Sequence, residues 1–287
     1  MRASARSGDE LCRIAGSGCP YTLPIGGRAL VEHAVRLLRD AGVTEILVAA
    51  DASIAELVAP AIGDVPGAEV HLALQPDNDE AATIRALHKV LGEGPLAVVG
   101  GDVLIPGGLE LRPESVYTSD GQPLAWTLPD VPAESLSPGG GAEVQLEGAW
   151  RYDGTVDGAL AGNTLALDGL KRGRLGVDLA NASIEGRVHI DPSAELVGAK
   201  LRGPVFIGPG ARLIETYVGP YTSIGPGVTL EGVEIEHSIV LPDAQIRFPG
   251  RRLEASLVGE GAQIGRDFSL PSALRLRVGP GSQIQLS

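Results

Sequence analysis

"RGPVFIGPGARLIETYVGPYTSIGPGVTLEGVEIEHSIVL", residues 202–241, decides the fold of the second half of this chain. Its aliphatic residues belong to longer ladders. Ile190, Ile207, Ile224 and Leu241 each stand 17 residues after the last. Leu196, Leu213 and Leu230 form a second ladder with that step, and Leu201, Val218 and Ile235 a third. Within one repeat the three ladders are six, five and six residues apart. One aliphatic every five or six residues, separated by Gly, Pro or Asp, means three short strands per turn, each pointing one side chain inward. Stacking such turns makes a triangular prism with a continuous apolar axis. "VGEGAQI" from Val258 and "VGPGSQI" from Val278, 20 residues apart, carry the pattern on, so it runs from about residue 184 to the C-terminus.

Upstream of the repeat the period changes. Over 28–41, Leu30, Val31, Ala34, Leu37, Leu38 and Ala41 share one helical face, and Gly42 ends it. "EILVAA" (45–50), "EVHLAL" (69–74) and "PLAVV" (95–99) read as strands, and 79–91 as a helix. Ser53 with Glu56 reads as a capping box opening another helix. Strands alternating with helices imply a parallel sheet covered on both faces, whose ligands bind beyond the carboxyl ends of the strands. Gly100, Gly101 and Asp102 lie at such an end. Residues 106–148 are rich in Pro, Gly, Ser and acid and read as irregular; a helix within 148–170 leads into the repeat. The expected fold is α/β plus β: residues 1–175 as an abbreviated Rossmann-like domain, residues 176–287 as the β-helix.

Composition narrows the function classes. A chain of 287 residues with 44% hydrophobic content has room for about two domains and a sizeable core. Acidic residues outnumber basic ones 36 to 23, and this excess repels polyphosphate, so no nucleic-acid partner is expected. Lys89, Lys171 and Lys200 are the only lysines. Cys12 and Cys19 lack zinc spacing and read as plain thiols. No membrane partner is expected, and the expected compartment is cytoplasmic. Flat faces of a repeat domain favour a homo-oligomer.

Both halves together resemble one family. The hexad-type repeat resembles the left-handed parallel β-helix, a known exception to right-handed crossovers. "LPIGGRALVEHAVRLLRDAGVTEILV" (23–48) and "GPLAVVGGD" (94–102), with 202–241, resemble the sugar-1-phosphate nucleotidyltransferases, in particular long-form glucose-1-phosphate thymidylyltransferases. The resemblance implies a reaction in which a sugar phosphate oxygen attacks the α-phosphorus of a nucleoside triphosphate. Such chemistry needs alignment and charge neutralisation. It implies a G-x-G-T-R loop, a P-K lysine, an E-K-P lysine and two aspartates on Mg²⁺.

Against that pattern the chain is degenerate. "AGSG" (15–18) keeps Gly16 and Gly18, but Cys19 and Pro20 stand where Thr-Arg would follow. No lysine precedes Lys89, and no E-K-P occurs. Asp102 matches one metal aspartate; Asp153, in "WRYDGT", falls one position from the other. Gln75 matches a position near sugar or base, and Gly101 adjoins Asp102. The candidate site is therefore Asp102 and Asp153 for catalysis and metal, with Gly16, Gly18, Gln75 and Gly101 for substrate. The plainer alternative is a strand-end cap at Asp102 and a turn at Asp153–Gly154. Mg²⁺ is expected only if nucleotidyl transfer is retained. The expectation is a pseudoenzyme of this family, kept as a partner or turned to a small-molecule step in deoxysugar or antibiotic biosynthesis. The alternatives are an active Mg²⁺-dependent transferase, with Arg13 and Arg28 replacing lysines, and a β-helix acyltransferase using His237 or His189 as base.

Overall fold

The ladders read from sequence become hydrogen-bonded registers. In the computed structural model, which describes residues 2–3, 19–75, 80–91, 94–129, 141–170, 173–174, 179–266 and 274–277, Ile190 pairs with Ile207 and Ile207 with Ile224. Leu196, Leu213 and Leu230 follow one another on a second face. Leu201, Val218 and Ile235 do so on the third. The result is a β-solenoid whose faces are sheets of six, seven and five strands, parallel throughout except for the closing strand Leu274–Arg277, which runs antiparallel to Gln263–Arg266. The ladder residues form one buried cluster along the axis. Each such aliphatic contributes about 1.5–3 kcal/mol by leaving water.

The register corrects the first ladder at its fourth step. Ile224 pairs with Val240, not Leu241, so this turn is one residue shorter. The residue is lost at the corner holding His237, which sits at φ 48. Counting aliphatics could not show this, because Val240 and Leu241 are both aliphatic. The next turn is longer: Val240 pairs with Val258 and Ile246 with Ile264. Its extra residues lie between Ile246 and Leu253, where Phe248 is left exposed. Sharp corners need left-handed backbone. At Gly227 (φ 65) a side chain has no room, because the Asp243 carboxylate of the next turn already fills that space. Val278 lies outside the described residues.

Two further segments complete this unit: the helix Val156–Asp168 and the tetrapeptide Pro24–Gly27. Thr155 caps the helix, accepting from the Gly158 amide at 2.9 Å. Asn163, fully buried, is the hub. Its Oδ1 accepts from the Gly26 amide (2.9 Å) and the Ser223 hydroxyl (2.7 Å), and its Nδ2 donates to the Tyr221 carbonyl (3.0 Å). Gly26 (φ 59) and Gly27 (φ 82) form a tight turn. The Phe206 ring occupies the space a Gly27 side chain would need, and His189 stacks flat on that ring, 5.0 Å between centroids.

The other compact unit holds Cys19–Leu23 and Arg28–Tyr152. Helix Leu30–Asp40 buries Val31, Ala34, Val35 and Leu38, spaced three and four apart, and Gly42 (φ 92) ends it. Arg2–Ala3, Glu45–Ala50 and Glu69–Leu74 form a three-stranded parallel sheet. Leu96–Val99 does not join it. It pairs antiparallel with Gln122–Leu128 in a second, four-stranded sheet with Ser115–Ser119 and Ala142–Gln145. The described residues of this unit thus form a parallel three-stranded sheet, a mixed four-stranded sheet and a two-stranded ladder of Val103–Leu104 with Trp150–Arg151, where one parallel sheet was expected. Within the span read as irregular, the described residues 106–129 and 141–148 hold three strands of the four-stranded sheet, and 130–140 lie outside the described residues. Asp120 (φ 49) and Gly121 (φ 74) make the two-residue turn of a β-hairpin.

The capping box at Ser53 does not form. Helix Ala55–Ala61 has Ile54 at its N-cap, and the Asp51 carboxylate instead accepts from the Ser53 amide (2.8 Å) and hydroxyl (2.7 Å). The helix Val156–Asp168 groups with the solenoid, and the two compact units meet in the chain between Tyr152 and Asp153.

Candidate functional site

Leu96–Val99 delivers the chain to Gly100, whose amide is held by the Leu124 carbonyl at 3.0 Å. Gly101 is buried, and Asp102 follows at the end of the turn into the short strand Val103–Leu104. Trp150–Arg151 pairs antiparallel with that strand, placing Arg151 opposite Val103. The Tyr152 amide donates to the Asp102 carbonyl at 2.9 Å. Backbone pairing therefore sets Arg151 beside Asp102. Its Nε donates to Asp102 Oδ2 at 3.0 Å, and its Nη1 reaches the Pro123 carbonyl at 3.4 Å. The Asp102 side chain is only 20% exposed, the arginine 45%. The other carboxylate oxygen, Oδ1, lies 2.8 Å from where a Gly100 side chain would begin. Glycine is what lets the carboxylate fold back over the backbone.

Asp153 lies in the other unit and has different work. Its Oδ1 accepts from the Thr155 amide (2.9 Å) and hydroxyl (2.8 Å), forming the turn that feeds Thr155 into its capping position. Gly154, at φ 87, completes the turn. The Asp153 carboxylate also fills the place a Gly158 side chain would take. Asp153 thus makes a turn, whereas the side chain of Asp102 pairs with Arg151.

Gln75 ends the edge strand Glu69–Leu74, its amide donating to the Ala50 carbonyl at 2.8 Å. Gly16, Gly18 and Arg13 lie outside the described residues. Arg28 contacts Glu32 at 3.5 Å, and burial, then the charge of Arg36, lowers its pKa. A hollow of about 480 Å³ in the first unit, lined by Leu109, Arg112, Tyr117 and Val144, includes none of the predicted site residues. His237 is exposed at its corner, its ring 5.3 Å from that of Tyr221.

Magnesium requires near-octahedral oxygen coordination, supplied by one or two freely presented carboxylates together with water and substrate phosphates. One oxygen of Asp102 pairs with a guanidinium, and the other lies beside Gly100. Asp153 is spent on its turn. No group of three His, Cys, Asp or Glu side chains able to hold a metal occurs among the described residues. As placed, these residues do not fit that ion. Sequence reasoning missed Arg151; the cue was its place in "WRYD", in a strand whose partner starts just after Asp102. No helix among the described residues is long and apolar enough to cross a membrane.

No family model matches the chain. It is 30% identical to the low-salt glycan biosynthesis nucleotidyltransferase Agl11 of Haloferax volcanii, over 352 aligned positions covering 99% of this chain and 98% of the relative. The chain belongs to that nucleotidyltransferase family. An alignment of 352 positions is longer than the 287-residue chain, so the relative carries residues with no counterpart here.

Proposed function

We propose that this chain is a sugar-1-phosphate nucleotidyltransferase homologue, of the glucose-1-phosphate thymidylyltransferase type with a left-handed β-helix, that has lost efficient nucleotidyl transfer. It serves as a partner protein, or in a small-molecule step of deoxysugar or antibiotic assembly. The relative's part in glycan biosynthesis supports a sugar-nucleotide setting. The observation that carries the reading is the missing lysines: none stands before Lys89 in a chain of net charge -13. A triphosphate brings several negative charges into its site, and transfer depends on fixed positive groups placed around them. The residues of the relative that have no counterpart here support the same reading.

The test is pyrophosphate release from glucose 1-phosphate with each nucleoside triphosphate and Mg²⁺, assayed beside the Haloferax relative. The expected turnover is lower by a factor of about 10³ or more, as befits loss of charge-stabilising groups. Turnover within tenfold of the relative, abolished in Asp102→Ala, would establish the active Mg²⁺-dependent alternative instead.

A further inference from the structure

We infer that Arg151 is the resident cation of the Asp102 corner and makes this carboxylate blind to divalent metal. The inference deepens the reading of lost transfer and rests on it for its biological sense.

Three features built into the backbone support it. The antiparallel pairing of Trp150–Arg151 with Val103–Leu104 fixes residue 151 next to residue 102, and the Tyr152 amide on the Asp102 carbonyl extends that pairing by one step. The guanidinium is held at two points, Nε on Asp102 Oδ2 and Nη1 on the Pro123 carbonyl. The carboxylate's second oxygen is folded against Gly100. One oxygen is thus paired with a cation, and the approach to the other is narrowed by Gly100.

A divalent ion at Asp102 would have to displace a tethered guanidinium or sit beside it. Displacement exchanges one cation for another and loses the hydrogen bonds the arginine makes. Cohabitation places like charges within a few ångströms in a partly desolvated corner, where repulsion is weakly screened. Without a substrate phosphate, a single carboxylate holds magnesium only weakly even before these costs. An arginine is the suited residue for this role, because its charge persists at every accessible pH.

The test is Mn²⁺ binding, read by the loss of the free-ion signal in electron paramagnetic resonance. Wild type and Asp102→Asn should bind the ion identically. Arg151→Gln, with its fold checked by circular dichroism, should bind at least about tenfold more tightly than wild type, still weakly, as one exposed carboxylate allows. The gain should vanish in the double variant with Asp102→Asn. Arg151→Lys, which keeps a cation there, should behave as wild type. Mn²⁺ binding in wild type that Asp102→Asn removes would overturn the inference, as would a folded Arg151→Gln that gains nothing. The two readings fail separately. Pyrophosphate release that persists in chelator would end the claim of lost transfer and leave the role of Arg151 standing. Mn²⁺ on Asp102 without turnover would do the reverse.

Discussion

The two compact units of this chain encode their folds in opposite ways. In the solenoid every turn repeats the same instruction, so Leu196, Leu213 and Leu230 each confirm the register of the others. In the first unit each element occurs once, and its neighbours are set by turns and by chain order. A repeated signal survives local irregularity, such as the shortened corner at His237. A signal given once does not. The strand Leu96–Val99 found an antiparallel partner, because the Asp120–Gly121 turn folds Gln122–Leu128 back within reach.

The sharpest way to break this contrast is a charge on the solenoid axis. Ile224 is fully buried between Ile207 and Val240. Ile224→Asp should cost about 4 kcal/mol or more, because an unpaired carboxylate has no water there. Chemical denaturation with a probe in each unit should show the solenoid transition collapse while that of the first unit, followed by Trp150 and Trp126 fluorescence, persists. Loss of both transitions together would mean that the units fold as one.

The next effect concerns the hub. Asn163→Ala strands the Gly26 amide, the Ser223 hydroxyl and the Tyr221 carbonyl inside the protein. It should lower the stability of the second unit by about 2–3 kcal/mol. Gly27→Ala is smaller, at about 1–3 kcal/mol, since its methyl group must displace the Phe206 ring at an unfavourable φ. Thermal unfolding checks both. A neutral Gly27→Ala would show that the ring yields freely.

The smallest effect compares the same local device in the two units. Asp51 accepts from Ser53, and Asp191 from the Ser193 hydroxyl (2.5 Å) and amide (2.9 Å). These bonds hold both carboxylates below their ordinary 3.8. A depressed pKa adds stability that is present above the unfolded-state value and lost as pH falls through the folded-state value. Asp191→Asn and Asp51→Asn should therefore differ slightly from wild type at pH 7, and the difference should vanish once the solution is acidic enough to protonate the native carboxylates. A difference that grows in acid would reverse the assignment.

Sequence carried the solenoid almost whole, because periodicity is a property of many residues at once. It also carried the helices Leu30–Asp40 and Val156–Asp168, whose ends are marked by Gly42 and Thr155. It did not carry the second sheet. The proline, glycine and acid content of 106–148 masked the Asp120–Gly121 hairpin signal. At the site, Asp102 and Asp153 were legible as positions but not as contacts. Arg151 reaches its partner across 49 positions of chain, so its place in "WRYD" gains meaning only once the strand pairing is known. Asn163 was invisible for the same reason: its three partners come from Gly26, Tyr221 and Ser223, far apart in the chain.

Pro24–Gly27 has a consequence for biosynthesis. A ribosome releases these four residues well before Asn163 and Ser223 exist, because synthesis proceeds residue by residue from the N-terminus. The tetrapeptide must wait for an anchor that is still being translated, and a gene divided between the two units would make an orphan of it.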